Sequence, residues 1–115
     1  MKLFDKWLVE KAKEDEKYFK NYLKYAKIIK KEAEKVIRKK IKGYVFGSIL
    51  QKKEIPQDID ILLISPEFRD YKIRRKIRAK IFDKLGTLWP FEIHLITKDG
   101  YENWYRYFIK KKKKI

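Results

Sequence analysis

Cysteine is absent from the sequence, which excludes disulfides and thiolate metal sites. Glycine and proline are scarce, at four and three residues, and neither occurs between Lys2 and Lys42. That leaves a long N-terminal stretch with nothing to break a helix. No apolar run approaches the roughly 20 residues needed to cross a bilayer. The opening Met1-Lys2-Leu3-Phe4-Asp5 lacks the apolar core and cleavage pattern of a secretory leader, so a cytoplasmic protein is expected. What is abundant is charge, at 42%, and aromatic side chains, at 16%. With 44% hydrophobic residues over 115 positions, the chain can bury one core, and a single domain over 1–115 is expected. The richness in Lys, Ile, Glu and Tyr, with few Gln, resembles hyperthermophile usage.

The net charge of +16 is unevenly distributed. Residues 1–43 carry 15 basic and 7 acidic side chains, residues 44–100 carry 11 and 8, and residues 101–115 carry 6 and 1. The flanks are basic and the acids concentrate in the middle. Such a surface attracts nucleotides and nucleic acids; a solvated, solubilising face is the alternative.

Within the helical segment 2–42, Phe19, Tyr22, Ala26, Ile29, Ala33 and Val36 recur at steps of three and four. This predicts an amphipathic helix, running on through Ile37 and Ile41 to a stop at Gly43. Upstream, Phe4, Trp7, Leu8 and Ala12 form a second stripe that Asp15 interrupts. One long helix is expected, or two with a bend near Glu14-Asp15-Glu16. A helix of about 38 residues would reach ~57 Å, so its N-terminal half should meet a partner or fold back. A strand follows at 44–46, a turn or short helix at 48–53, and a strand at 58–64. A helix at 70–85 carries Ile73, Ile77, Ile81, Phe82 and Leu85 on one face and stops at Gly86. A third strand at 91–96 and a last helix capped by Asp99 precede a frayed basic tail, so the core spans about 43–100 and the last helix and tail 99–115.

Chemistry concentrates in the stretch Tyr44 to Ile64. Asp58 and Asp60 share a face at the rim of an apolar strand, where two carboxylates repel and are costly to desolvate unless a cation holds them. Glu92 opens the next strand. A helix of about 16 residues between the two suits a crossover joining parallel neighbours, which would bring all three acids to one end of the sheet. Oxygen ligands of this kind suit Mg²⁺ or Mn²⁺. Gly47-Ser48, between strand and turn, allows a phosphate to approach the backbone closely.

The ordered set of strand, Gly47-Ser48, nine residues, Asp58-Ile59-Asp60, apolar strand, helix and acidic third strand resembles the minimal nucleotidyltransferase (MNT) family of the polymerase β-like superfamily. The stretch F-E-I-H-L-I-T followed by Y-E-N-W-Y-R-Y-F-I-K looks like its archaeal branch. The resemblance covers about residues 22–110. It implies an α+β fold in which a small mixed three-stranded sheet is flanked by helices, in the order helix-strand three times and a last helix. It implies that Asp58, Asp60 and Glu92 bind Mg²⁺ or Mn²⁺ and are catalytic, with Glu92 activating the acceptor hydroxyl. Gly47 and Ser48 would hold the triphosphate of an NTP, with ATP the expected donor. Many relatives carry Arg soon after Gly-Ser and Ser before the first Asp; here Ile49-Leu50 and Gln57 stand there, which leaves Lys52 or Lys53 to neutralise phosphate. The implied reaction moves a nucleoside monophosphate to a hydroxyl.

The resemblance also implies a partner: a second copy of the chain, or a small helical HEPN-type protein in a toxin–antitoxin-like pair. Two other functions fit the same residues, a catalytically degenerate antitoxin or binding module and a basic nucleic-acid-binding protein. His94 shares a strand face with Glu92, but a lone His is more often structural. Trp104, Tyr105 and Phe108 read as core at helical spacing, Lys110–Lys114 as a solubilising tail, and Arg74, Arg75 and Arg78 as a solvated helix face.

Overall fold

The computed structural model describes residues 2–51 and 56–115, with Ala12 lacking a described side chain. Helices α1 (Leu3–Lys20) and α2 (Tyr22–Ile37) lead into strand β1 (Lys42–Phe46). Strand β2 (Ile59–Ile64), helix α3 (Tyr71–Leu85), strand β3 (Phe91–Ile96), helix α4 (Lys98–Asn103) and strand β4 (Lys112–Lys114) follow. The sheet order is β3-β2-β1-β4, with β2 and β3 parallel and the other pairs antiparallel. It is the expected small mixed sheet of an α+β fold, with one strand more than expected.

That strand comes from the segment read as a frayed tail. Tyr44 pairs with Lys114 and Phe46 with Lys112. Beyond it, the Ile115 amide donates to the Gly43 carbonyl at 3.0 Å, and Lys30 Nζ donates to the Ile115 carbonyl at 2.7 Å. A run of lysines carries no apolar alternation, so its pairing comes from the open hydrogen-bonding edge of β1, which composition does not reveal.

One face of the sheet makes the core. Val45, Ile59, Ile61, Leu63, Ile93 and Leu95 are buried there against Ala26, Ile29 and Ala33 of α2 and Ile77 and Ile81 of α3. The predicted α2 stripe is thus the buried one. On α3 the apolar face is narrower than expected, because Phe82 sits about 100° around the helix from Ile81 and is 54% exposed. Asp70 caps α3 by accepting from the Lys72 amide at 2.8 Å, and Gly86 ends it in the left-handed region.

The N-terminal segment forms two helices, broken at Asn21 instead of at the acidic triplet. Both the Asn21 amide and its Nδ2 donate to the Lys17 carbonyl, at 3.1 and 3.0 Å, so the side chain competes for a backbone acceptor. The acidic triplet is accommodated inside α1 by pairs one turn apart, Lys11–Asp15 and Lys20–Glu16. The second helix ends at Arg38, at φ 58°, and not at Gly43. Gly43 lies within β1, where a Cβ would meet the Leu63 and Ile115 side chains. Among the described residues, no helix is long and apolar enough to cross a membrane.

Candidate active site

The other face of the sheet carries the polar chemistry. Alternation places Phe46, Asp60, Glu92 and His94 there, and register aligns them: Phe46 pairs with Asp60, and Asp60 with Glu92. Parallel pairing of β2 with β3 thus brings the expected acids to one end of the sheet. Ligand atoms of Asp60, Glu92 and His94 lie within 4.8 Å of one another.

Asp58 precedes β2 beside this cluster. Burial raises its pKa first, then the charge of Asp60, a hydrogen bond with Glu92 and the charge of Glu92, while His94 opposes the rise. The donor set fits a divalent cation: the carboxylates of Asp60 and Glu92 lie within ligand reach of each other with the His94 imidazole beside them, and Asp58 is outside that group. The lack of a side chain at Gly47 lets Asp60 pack against the turn, since a Cβ there would overlap Asp60 Oδ2.

His94, read from the sequence as structural, belongs to the cluster. Its Nε2 lies 3.2 Å from Asp60 Oδ1 and 4.0 Å from Glu92 Oε1. Its Nδ1 lies 3.2 Å from the Tyr105 hydroxyl. With the proton on Nε2, the ring donates to Asp60 while Nδ1 accepts from Tyr105. The Phe46 and Tyr105 rings pack against the imidazole, with centroids 5.3 and 5.5 Å away. The two-residue spacing from Glu92 put His94 on this face; only the fold of the segment after α4 supplied Tyr105.

That segment departs from the expected helix. Thr97, not Asp99, caps α4 by accepting from the Gly100 amide at 3.2 Å. The chain breaks at Trp104 and makes a 3-10 turn over Tyr105–Tyr107. Trp104 and Phe108, expected in the core, are 64% and 60% exposed, because the short helix cannot lay its aromatics on the sheet. Arg78 likewise is not a freely solvated side chain. It donates to the Ile93 carbonyl at 3.0 Å, and burial, followed by the charge of Arg74, lowers its pKa.

The turn after β1 is a single 3-10 turn, Ser48–Leu50, entered through Gly47 at φ 84°. It is too short to supply a substantial helix dipole, so any phosphate contact there rests on close approach to the Gly47-Ser48 backbone. Lys52 and Lys53 lie outside the described residues.

Beside Gly47 is a cleft of about 480 Å³ lined by Phe46, Gln51, Phe108, Ile109, Lys110 and Lys111. On the other side of the acids, a second cleft of about 440 Å³ follows β3 past Arg74, Arg78, Glu92, His94 and Tyr105. The acidic cluster thus has a basic approach from either side.

Comparison with protein families matches residues 24–115 to the nucleotidyltransferase domain. The chain belongs to that family. A solved crystal structure provisionally assigned as a nucleotidyltransferase is 28% identical, with a TM-score of 0.62, covering 77% of this chain and 95% of its own. None of the curated proteins compared with the chain matches it. The nucleotidyltransferase match begins inside α2, so α1 lies outside the matched region. The protein is a nucleotidyltransferase, of a family whose chemistry moves a nucleoside monophosphate from a triphosphate and generally uses a divalent metal.

Proposed function

We propose that this nucleotidyltransferase uses Asp58, Asp60 and Glu92 to transfer a nucleoside monophosphate, with ATP as donor, to a hydroxyl in the presence of Mg²⁺ or Mn²⁺. The observation that carries the proposal is the convergence of Asp60, Glu92 and His94 within ligand reach, with Asp58 electrostatically coupled to them. Asp58, Asp60 and Glu92 would hold the cation, which when bound neutralises charge on the attacking and leaving oxygens. His94 orients Asp60, and Tyr105 orients His94. Gly47 and Ser48 bring the triphosphate against the open backbone. The acceptor oxygen bonds to the α-phosphorus, the bond to the bridging oxygen breaks, and pyrophosphate leaves with the electron pair. The acceptor proton passes to Glu92, which at 58% side-chain exposure is accessible to a substrate.

The partner we infer is a second copy of the chain or a small helical protein of the HEPN type, in a toxin–antitoxin-like pair within the cytoplasm. The support is α1, whose Leu3, Phe4, Trp7, Leu8 and Val9 are all exposed. We infer the MNT subfamily and its archaeal branch from the sequence resemblance alone.

The test is transfer of label from α-labelled ATP, with Mg²⁺, to a purified HEPN-type helical protein. Incorporation by the native chain, abolished in Asp58→Asn with Asp60→Asn, supports the reading. Neutralisation of that protein by the double variant, with no incorporation by the native chain, would assign the chain to the binding-module alternative. Salt-sensitive RNA binding without transfer would favour the nucleic-acid-binding one.

A further inference from the structure

The two residues that follow Gly47-Ser48 are the uncharged Ile49 and Leu50. A nucleoside triphosphate brings several negative charges to the Gly47 turn, which is already close to Asp60. Some basic group must face it. The structure places two at the same cleft, from the far end of the chain.

We infer that the segment 108–111 forms the outer wall of the nucleotide site, with Lys110 and Lys111 binding the β- and γ-phosphates and Phe108 packing on the base. This inference rests on the transferase reading above and names residues that would hold its donor. Pairing of Phe46 with Lys112 fixes the register of the segment immediately downstream of these lysines. Lys112 is itself committed elsewhere, its Nζ lying 4.6 Å from the Tyr44 ring centroid and 4.7 Å from that of Tyr101. Lys110 and Lys111 line the cleft with Gly47. At about 480 Å³, the cleft falls within the range typical of small-molecule sites. Phe108 is 60% exposed, an aromatic face open to stacking. Edge-on contacts with Trp104 and Tyr105, at centroid distances of 5.5 and 6.5 Å, hold this ring beside the cleft. Lysine also suits the task, as a mobile point charge able to follow a flexible polyphosphate.

The experiment titrates the full chain with a non-hydrolysable ATP analogue in Mn²⁺, and separately with AMP and adenosine. Four variants are compared: Lys110→Ala with Lys111→Ala; Phe108→Ala; Lys52→Ala with Lys53→Ala; and Lys13→Ala with Lys20→Ala. The last removes the same charge from α1 and controls for net charge. The Lys110/Lys111 pair should weaken the triphosphate at least ten-fold and adenosine less than two-fold, with the α1 control changing neither by more than about three-fold. Phe108→Ala should weaken all three ligands by about five-fold or more, the loss of one base–aromatic stack. Circular dichroism of each variant separates a local loss from unfolding, and Lys110→Arg with Lys111→Arg should restore triphosphate binding. If the Lys110/Lys111 pair behaves like the α1 control while the Lys52/Lys53 pair abolishes triphosphate binding, the inference is overturned and the transferase reading stands. If the native chain binds no triphosphate with Mn²⁺ or Mg²⁺, both fall together.

Discussion

Gly47 lies so close to Asp60 that a Cβ on the glycine would overlap the Oδ2 atom of the aspartate. The same glycine holds φ 84°, a conformation L-residues rarely adopt. Gly86 provides an internal control, at φ 76° with no atom within 4 Å of the point a Cβ would occupy. Gly86→Ala should cost about 1 kcal/mol of stability through its backbone alone and leave nucleotide transfer intact. Gly47→Ala should cost at least as much and also displace the Asp60 carboxylate, lowering transfer by ten-fold or more. Thermal unfolding and transfer rates on the two variants check this; equal activity would mean that the contact is inconsequential.

Divalent cations should stabilise the native chain. Binding only to the folded state contributes about 2.7 kcal/mol at a hundred-fold excess over Kd. A rise in Tm with Mn²⁺ is therefore expected, absent in Asp58→Asn with Asp60→Asn. A Tm indifferent to millimolar Mn²⁺ would argue against the cluster as a metal site.

Acid should weaken the far end of the sheet through Glu67. Its pKa is lowered to about 2, first by its hydrogen bond with Lys39 and then by that with Ser65. The Lys39 Nζ lies 2.6 Å from its carboxylate. Because the folded pKa is depressed from 4.5, the contribution is fully present above that value and is lost as pH falls toward 2. Glu67→Gln should therefore be less stable than the native chain at neutral pH, with the difference shrinking between about pH 4.5 and 2. Denaturant titrations over that range provide the check.

Removal of residues 112–115 should destabilise the fold. Their pairing with β1 and the Lys30–Ile115 contact would be lost, which a solubilising tail would not involve. A fall in Tm of several degrees corresponds to roughly 1 kcal/mol in a domain of this size. Unchanged melting would mean that β4 contributes no net stability.

Phe4→Ser with Trp7→Ser should abolish association through α1 and leave monomer stability within about 0.5 kcal/mol. The two side chains are 67% and 55% exposed, so little intramolecular packing depends on them. Sedimentation of native and variant chains, alone and with a helical partner, reads the effect.

Much of the fold was legible because its elements follow local rules. The α2 stripe, the Gly86 stop and the alternation that sets Asp60 on one face depend on neighbours in sequence. The acids were legible for a related reason: charge on an apolar strand is conspicuous wherever the chain goes. His94 was visible only as a residue on the same face as Glu92, since its worth depends on Asp60, 34 positions away.

Sequence alone determined the family pattern and the parallel crossover that sets Asp60 beside Glu92, because strand alternation and helix length act over short distances. Tertiary structure alone decided that a lysine tail becomes an edge strand, that Tyr105 holds His94, and that Lys110 and Lys111 stand beside Gly47. Those contacts join the end of the chain to its middle. Their energy comes from an open strand edge and a shared cleft, which exist only once the sheet has formed.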